Sequence, residues 1–204
     1  MLYNIKERSE SLGKIIDERI LDYINVQEEK EVRRDIYSKY VKINKRFYKF
    51  IETEFFNKRL SMYIPTTFED MPFHIKQEKY PSRNRPQIIK TNHNKNIILT
   101  LKFMDYLIKE QNIDNLKNLT KILIKNSDSE SIFLDDGILE SNENKISYFD
   151  YKSYYSGEYM YNLAFFFILN DKTVMGTFEC TYKEAGEWKN DIIFQMLKTV
   201  KVNN

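Results

Sequence analysis

The chain has 204 residues, enough to bury a core in one domain with room for an extension. Its 42% hydrophobic and 15% aromatic content fits a folded protein and excludes a disordered one, and 32 basic side chains against 30 acidic ones exclude a general electrostatic pull toward nucleic acid or anionic membrane. The single cysteine, Cys180, excludes an internal disulfide and any zinc site built from several cysteines, and it suits a reducing compartment.

In chain order, Ile15, Ile16, Ile20, Tyr23 and Ile24 recur at helical spacing, and Val32, Ile36 and Tyr40 continue it before a switch to strand near Ile43. Residues 1–40 are therefore expected to be a helical N-terminal extension and 41–204 an α+β sandwich domain. Nothing in the first 20 residues reads as a secretory signal. The longest apolar run, LAFFFIL at 163–169, is far short of the roughly 20 residues a membrane helix needs, so no membrane span and a cytoplasmic location are expected.

FIETEFFNKRLSMYIP reads as a hairpin turning at Asn57-Lys58 and ending at Pro65, and Thr66 or Thr67 could cap a short helix limited by Pro72. NIILTLKF is a strand. IDNLKNLTKILIKNS is a helix, capped by Asp114 or Asn115, whose buried stripe should be Leu116, Leu119, Ile122 and Leu123. Asp136-Gly137 predicts a hairpin turn inside SIFLDDGILES. Three long antiparallel strands follow, turned at Ser156-Gly157 and Asn170-Asp171. The middle one is apolar on both faces, which calls for cover on both sides. A last helix, with capping-box spacing at Thr181 and Glu184, should bury Ala185, Trp188, Ile192, Met196 and Val200. Hairpins with helices on both faces make the expected fold α+β, a mainly antiparallel three-layer sandwich.

The hairpin into MYIPTTFEDM, the middle helix, the three-stranded meander and the closing helix EWKNDIIFQMLKTV together resemble the PsbP-like superfamily, which takes in PsbP, Mog-type and DcrB-like proteins. The likeness is one of layout, over about residues 45 to 202. It implies a non-enzymatic scaffold that docks onto other proteins, and it transfers no catalytic residue. KYPSRNRPQIIKT and GTFEC also look like uncharacterised proteins of low-GC Gram-positive bacteria.

Candidate chemistry is sparse. Cys180 lies on the apolar side of its strand and reads as a buried small hydrophobe. His74 and His93 have no second ligand at helical spacing, and Asp135-Asp136-Gly137 is accounted for by the expected turn. No phosphate-cradling, dinucleotide or nucleophile-elbow motif is present, so no catalytic residue, cofactor or metal is expected. From 76 to 102, seven basic side chains face Glu78 alone. With Tyr80 among them they offer an alternative reading as a nucleic-acid or anion binder, opposed by the net acidity of the rest of the chain. Within that stretch Pro81 and Pro86 stiffen a loop carrying Arg83 and Arg85. Those guanidinium groups suit a partner's carboxylates, or else pin the loop to the domain's own carbonyls. Tyrosines crowd the first hairpin of the meander, and tyrosine is enriched at protein interfaces. The candidate partner-binding residues are thus Tyr80, Arg83, Arg85, Tyr151, Tyr154 and Tyr155. The expected function is protein binding, as an adaptor, an immunity protein or a secretion accessory; an enzyme of unknown class comes third.

Overall fold

The structure, a computed structural model, describes residues 34–104, 108–141 and 144–203. The helix expected around residues 15–24 lies outside them. The compact unit that carries the sheet runs from Asp35 to Asn204.

Twelve strands are described. β1 (Val41–Ile43) and β2 (Arg46–Tyr48) pair through a turn in which Asn44 and Lys45 are both left-handed. β3 (Phe50–Phe55) and β4 (Leu60–Pro65) are the hairpin expected from the sequence, with Phe56, Asn57 and Lys58 all at positive φ in its turn. β5 (Glu69–Asp70), β6 (Ile88–Thr91), β7 (Ile97–Phe103), β8 (Ile132–Ser141), β9 (Asn144–Tyr155), β10 (Glu158–Leu169) and β11 (Lys172–Thr181) form a seven-stranded antiparallel sheet in the order β5-β6-β7-β11-β10-β9-β8. β12 (Lys201–Val202) extends the small sheet as β12-β4-β3.

The doubly apolar β10 lies inside the large sheet and is covered on both faces, as its pattern requires. On one face Tyr161, Leu163, Phe165 and Phe167 join Leu99, Leu101, Val174, Phe178 and Cys180 in the main core. This face is closed by β3, β4 and a helical segment made of α3 (Ala185–Glu187), a π-helical turn (Trp188–Ile192) and α4 (Ile193–Lys198). All the residues expected to be buried on the closing helix are buried. The opposite face carries two smaller clusters. α1 (Phe73–Lys79) and its C-cap Tyr80 lie over Met71, Ile89 and Ile98. α2 (Ile113–Ser127) sets Ile113 and Leu116 on Phe149, Ala164 and Phe166. The result is the expected α+β sandwich of three layers.

Five local expectations are corrected. Asp136-Gly137 is not a turn: β8 runs through it from 132 to 141, with a bulge between Phe133 and Asp135. Gly137 is there because Tyr148, its cross-strand partner, lies flat against it; a Cβ would meet the Tyr148 hydroxyl at 3.0 Å. Asp136 instead accepts hydrogen bonds from Lys117 at 2.6 Å and Lys121 at 2.8 Å, tying α2 to the sheet edge. The stripe expected on α2 is also wrong. Leu116 is buried, but Leu119, Ile122 and Leu123 are exposed, because the side facing the sheet is spent on Ile113, Leu116 and the buried Lys117, which pairs with Asp114 and Asp136. Thr66 and Thr67 cap nothing, since β5 intervenes and α1 starts after Pro72, and the N-cap position of α2 falls on Asn112, not on Asp114 or Asn115, with no side chain bonding there. The Thr181–Glu184 box does not form: no side chain caps α3, and the Glu184 carboxylate accepts from Asn96.

Asp150 lies beneath the main core with 2% of its surface exposed. It accepts the Asp135 N–H at 2.7 Å. Burial pushes its carboxyl above the usual 3.8, and the nearby Tyr161 hydroxyl and the bond from the Asp135 N–H offset this only in part. A raised folded-state pKa favours the protonated fold. Its contribution is therefore fully present below the unfolded value and lost as pH rises through the folded one. Asp150→Asn keeps the acceptor and cannot ionise. Urea midpoints measured from acid to neutral pH should show wild type losing stability relative to Asp150→Asn as pH rises through that range. A constant difference would mean that Asp150 ionises as freely in the fold as in the unfolded chain.

Candidate functional site

The β9–β10 hairpin ends in Ser156 and Gly157, at φ +51° and +90°, the two left-handed residues of a tight turn that matches strand twist. This turn fixes the register Tyr154↔Tyr159 and Lys152↔Tyr161. Tyr154 and Tyr159 meet edge to face with ring centroids 5.1 Å apart. The Lys152 ammonium is held between two rings, 3.7 Å from the centroid of Tyr159 and 4.6 Å from that of Tyr182. Tyr154, Tyr155, Tyr159 and Tyr182 are nonetheless 53%, 75%, 53% and 37% exposed. Three accessible tyrosine rings, Tyr154, Tyr159 and Tyr182, gather about a cation at the end of rigid strands, with Tyr155 at the same hairpin end on the other face, and make a preorganised contact surface.

Other turns converge on this end of the sheet, with Glu184 as their hub. Asn44 of the β1–β2 turn donates to the Glu184 carbonyl at 2.6 Å, and Asn96 of the β6–β7 turn donates to its carboxylate at 2.9 Å. The Glu187 carboxylate accepts the Asn44 N–H at 2.7 Å. Two of the nearby carboxylates are thus engaged, which leaves Glu158 as the exposed acid of the hairpin. Lys45, Lys95, Lys152 and Lys183 form no ion pair among the described residues. The end is aromatic and cationic together.

The expected site residues do not gather in one place. Tyr154 and Tyr155 are at the hairpin end. Tyr151 is not; it packs on Phe133 and Phe149 beside α2, and burial followed by the Glu179 carboxylate pushes its phenol up to about 12. Tyr80 caps α1 and packs on the cluster of Met71, Ile89 and Ile98; burial and then Glu179 raise its phenol too. Arg83 is exposed, and Arg85 places its guanidinium 6.0 Å from the Phe73 ring centroid. Neither arginine donates a hydrogen bond or pairs with a carboxylate among the described residues, so the pinning of the loop through carbonyls is not realised. The basic stretch is also dispersed. Lys90 pairs with Asp70 at 3.2 Å, and Lys90 and Lys102 alternate onto opposite faces of the sheet.

Cys180 is fully buried, and burial holds its thiol up at about 12, which leaves no thiolate for nucleophilic work. His74 and His93 are exposed. Among the described residues no group of His, Cys, Asp and Glu has a metal-holding arrangement, and no helix is long and apolar enough to cross a membrane. Sequence reasoning missed Lys152 and Tyr182. The register that brings them together follows from the Ser156-Gly157 and Asn170-Asp171 turns, which were read correctly.

This layered antiparallel sandwich has the PsbP-like fold. The chain is similar to cyanobacterial PsbP (CyanoP) from Synechocystis sp. PCC 6803, with a TM-score of 0.55 at 7% identity over 76% of this chain and 92% of that one. A structure from Bacteroides thetaiotaomicron matches with a TM-score of 0.47 at 8% identity, over 75% of this chain and 48% of that one. A protein of unknown function from Pseudomonas aeruginosa matches at 0.39 and 8%, over 76% and 98%. No family model and no curated protein matches the chain, and nothing among these matches supports the similarity to proteins of low-GC Gram-positive bacteria. At such identities the likeness establishes the fold alone.

Proposed function

We propose that this chain is a non-enzymatic docking module that grips an acidic segment of a partner protein with the hairpin end of its large sheet. The observation that carries this reading is the bracketing of Lys152 by Tyr159 and Tyr182 within a surface of exposed tyrosines. Tyrosine gives contact area at low entropy cost, and its hydroxyl can donate to a carboxylate. Lys45, Lys95 and Lys183, unpaired among the described residues, supply a complementary field that steers an acidic partner. Arg83 and Arg85, also unpaired, add to the stock of cations. An adaptor, an immunity protein covering an acidic surface, or a secretion accessory would each use such a contact. The alternative of nucleic acid on residues 76–102 is opposed by the scattering of those cations over both faces and the pairing of Lys90.

The variant Lys152→Glu with Tyr155→Ser should leave the melting temperature within a few degrees of wild type, because Tyr155 is exposed and the half-buried Lys152 gives up only cation–π contacts worth about 0.5–1 kcal/mol each. Binding to the partner recovered from the native host should fall at least tenfold and weaken with salt in the wild type. Unchanged affinity with an unchanged fold would place the contact elsewhere. Binding abolished by nuclease treatment would give the surface to nucleic acid.

A further inference from the structure

On the face of the large sheet that carries α1 and α2, the helices cover two separate apolar clusters. α1 and Tyr80 cover the β6–β7 side, α2 covers the β9–β10 side, and the two apolar clusters beneath them share no residue. Between them the sheet is polar. Thr100 and Thr177 share a hydrogen bond at 2.8 Å, Asn162 donates to the Ser153 hydroxyl at 2.9 Å, and Glu179 lies among them. The register puts Tyr151, Asn162, Glu179 and Ile98 in one transverse row across β9, β10, β11 and β7, and Tyr80 packs over Ile98 at its end. With strands about 4.8 Å apart, Glu179 is within about 10 Å of Tyr151 along that row.

Glu179 is out of place as a structural residue. It is partly buried, and its one hydrogen bond is a long one, 3.4 Å from the Thr177 hydroxyl. No cation pairs with it among the described residues; Lys79 acts on it only through space. Burial raises its carboxyl, and Lys79 and Thr177 counter this incompletely. A desolvated carboxylate without a partner opposes folding, whereas one awaiting a cation is a binding group. Two partly buried phenols flank it, and aromatic faces beside a carboxylate are the chemistry that holds organic cations.

We propose that the polar strip between α1 and α2 binds a cationic nitrogen group, a guanidinium or an alkylammonium, with Glu179 as its counter-ion, Asn162 beside it in the row, and Tyr80 and Tyr151 at the two ends. The site is separate from the hairpin surface, and neither reading depends on the other. The group could belong to a small amine or to an arginine or lysine side chain of a polypeptide.

The test is a titration of the full chain, labelled with nitrogen-15, by methylguanidinium chloride at constant ionic strength with sodium chloride as control. Saturable shifts confined to amides around Tyr80, Tyr151, Asn162 and Glu179 are expected. Glu179→Gln should weaken binding at least tenfold without lowering the melting temperature. Tyr151→Phe should bind as wild type does, and Tyr151→Leu should bind several-fold more weakly. A capped peptide with one central arginine separates the sources: tenfold tighter binding than methylguanidinium points to a polypeptide side chain, and equal or weaker binding points to a free cation. Shifts that stay linear, that map outside this strip, or that persist unchanged in a folded Glu179→Gln protein would overturn the assignment.

Discussion

Replacing Trp188 by alanine is expected to cost about 3–5 kcal/mol, from lost transfer energy and the cavity left behind. The indole is fully buried and is the meeting point of three elements: Tyr48 of β2 at 5.2 Å, Phe68 at 6.1 Å, and Phe178 of the large sheet at 5.5 Å between ring centroids. It stands at the start of the π-helical turn. Its loss would uncouple the closing helix from the β1–β2 hairpin and the sheet at once. Trp188 is the only tryptophan, so its fluorescence reports this packing directly. Native emission should be blue-shifted. Emission like that of free tryptophan, or a stability loss near zero, would contradict the packing.

Gly176→Ala is expected to be nearly as damaging although it adds one methyl group. A Cβ at Gly176 would lie 2.1 Å from the ring of Phe165, its cross-strand partner. Phe165 has no room to yield, being fully buried and stacked on Phe167 at 6.3 Å. Overpacking of this kind costs about 1–3 kcal/mol and occasionally more, and two central strands must separate to relieve it, so about 3 kcal/mol is expected. Gly186→Ala is the control. Nothing is within 4 Å of the added atom, and alanine favours the helix by up to about 1 kcal/mol. Equal thermal shifts for the two variants would refute the close approach of Phe165 to the β11 backbone.

Much of the fold was legible because it rests on local signals. Ser156-Gly157 and Asn170-Asp171 adopt the left-handed conformations those residue types favour, and the two turns set the register of β9, β10 and β11. The two-sided apolarity of β10 announced cover on both faces. Asp136-Gly137 misled because the same dipeptide serves two purposes. Here the glycine makes space for Tyr148, and the aspartate receives Lys117 and Lys121; both are long-range facts. The stripe on α2 misled because helical periodicity cannot say which of two apolar sides meets the sheet. The site was half legible. Tyrosine enrichment pointed to the right hairpin, but Tyr151 and Tyr154 fall on opposite faces of β9. A crowd of tyrosines in sequence thus became a core ring on one face and a surface cluster on the other. Glu179 carried no signal, because it is an isolated acid within an apolar strand whose oddity appears only when no cation is found beside it.

The central claim is that the hairpin end contacts an acidic partner protein. A photo-reactive benzoylphenylalanine placed at Tyr155 in the native host tests it most directly, with the same group at the 66% exposed Tyr37 as a control. The account predicts a discrete protein adduct from position 155, absent from position 37, insensitive to nuclease and lost with Lys152→Glu, with the cross-linked peptide rich in aspartate and glutamate. Equal adducts from both positions, or an adduct that survives Lys152→Glu, would contradict it.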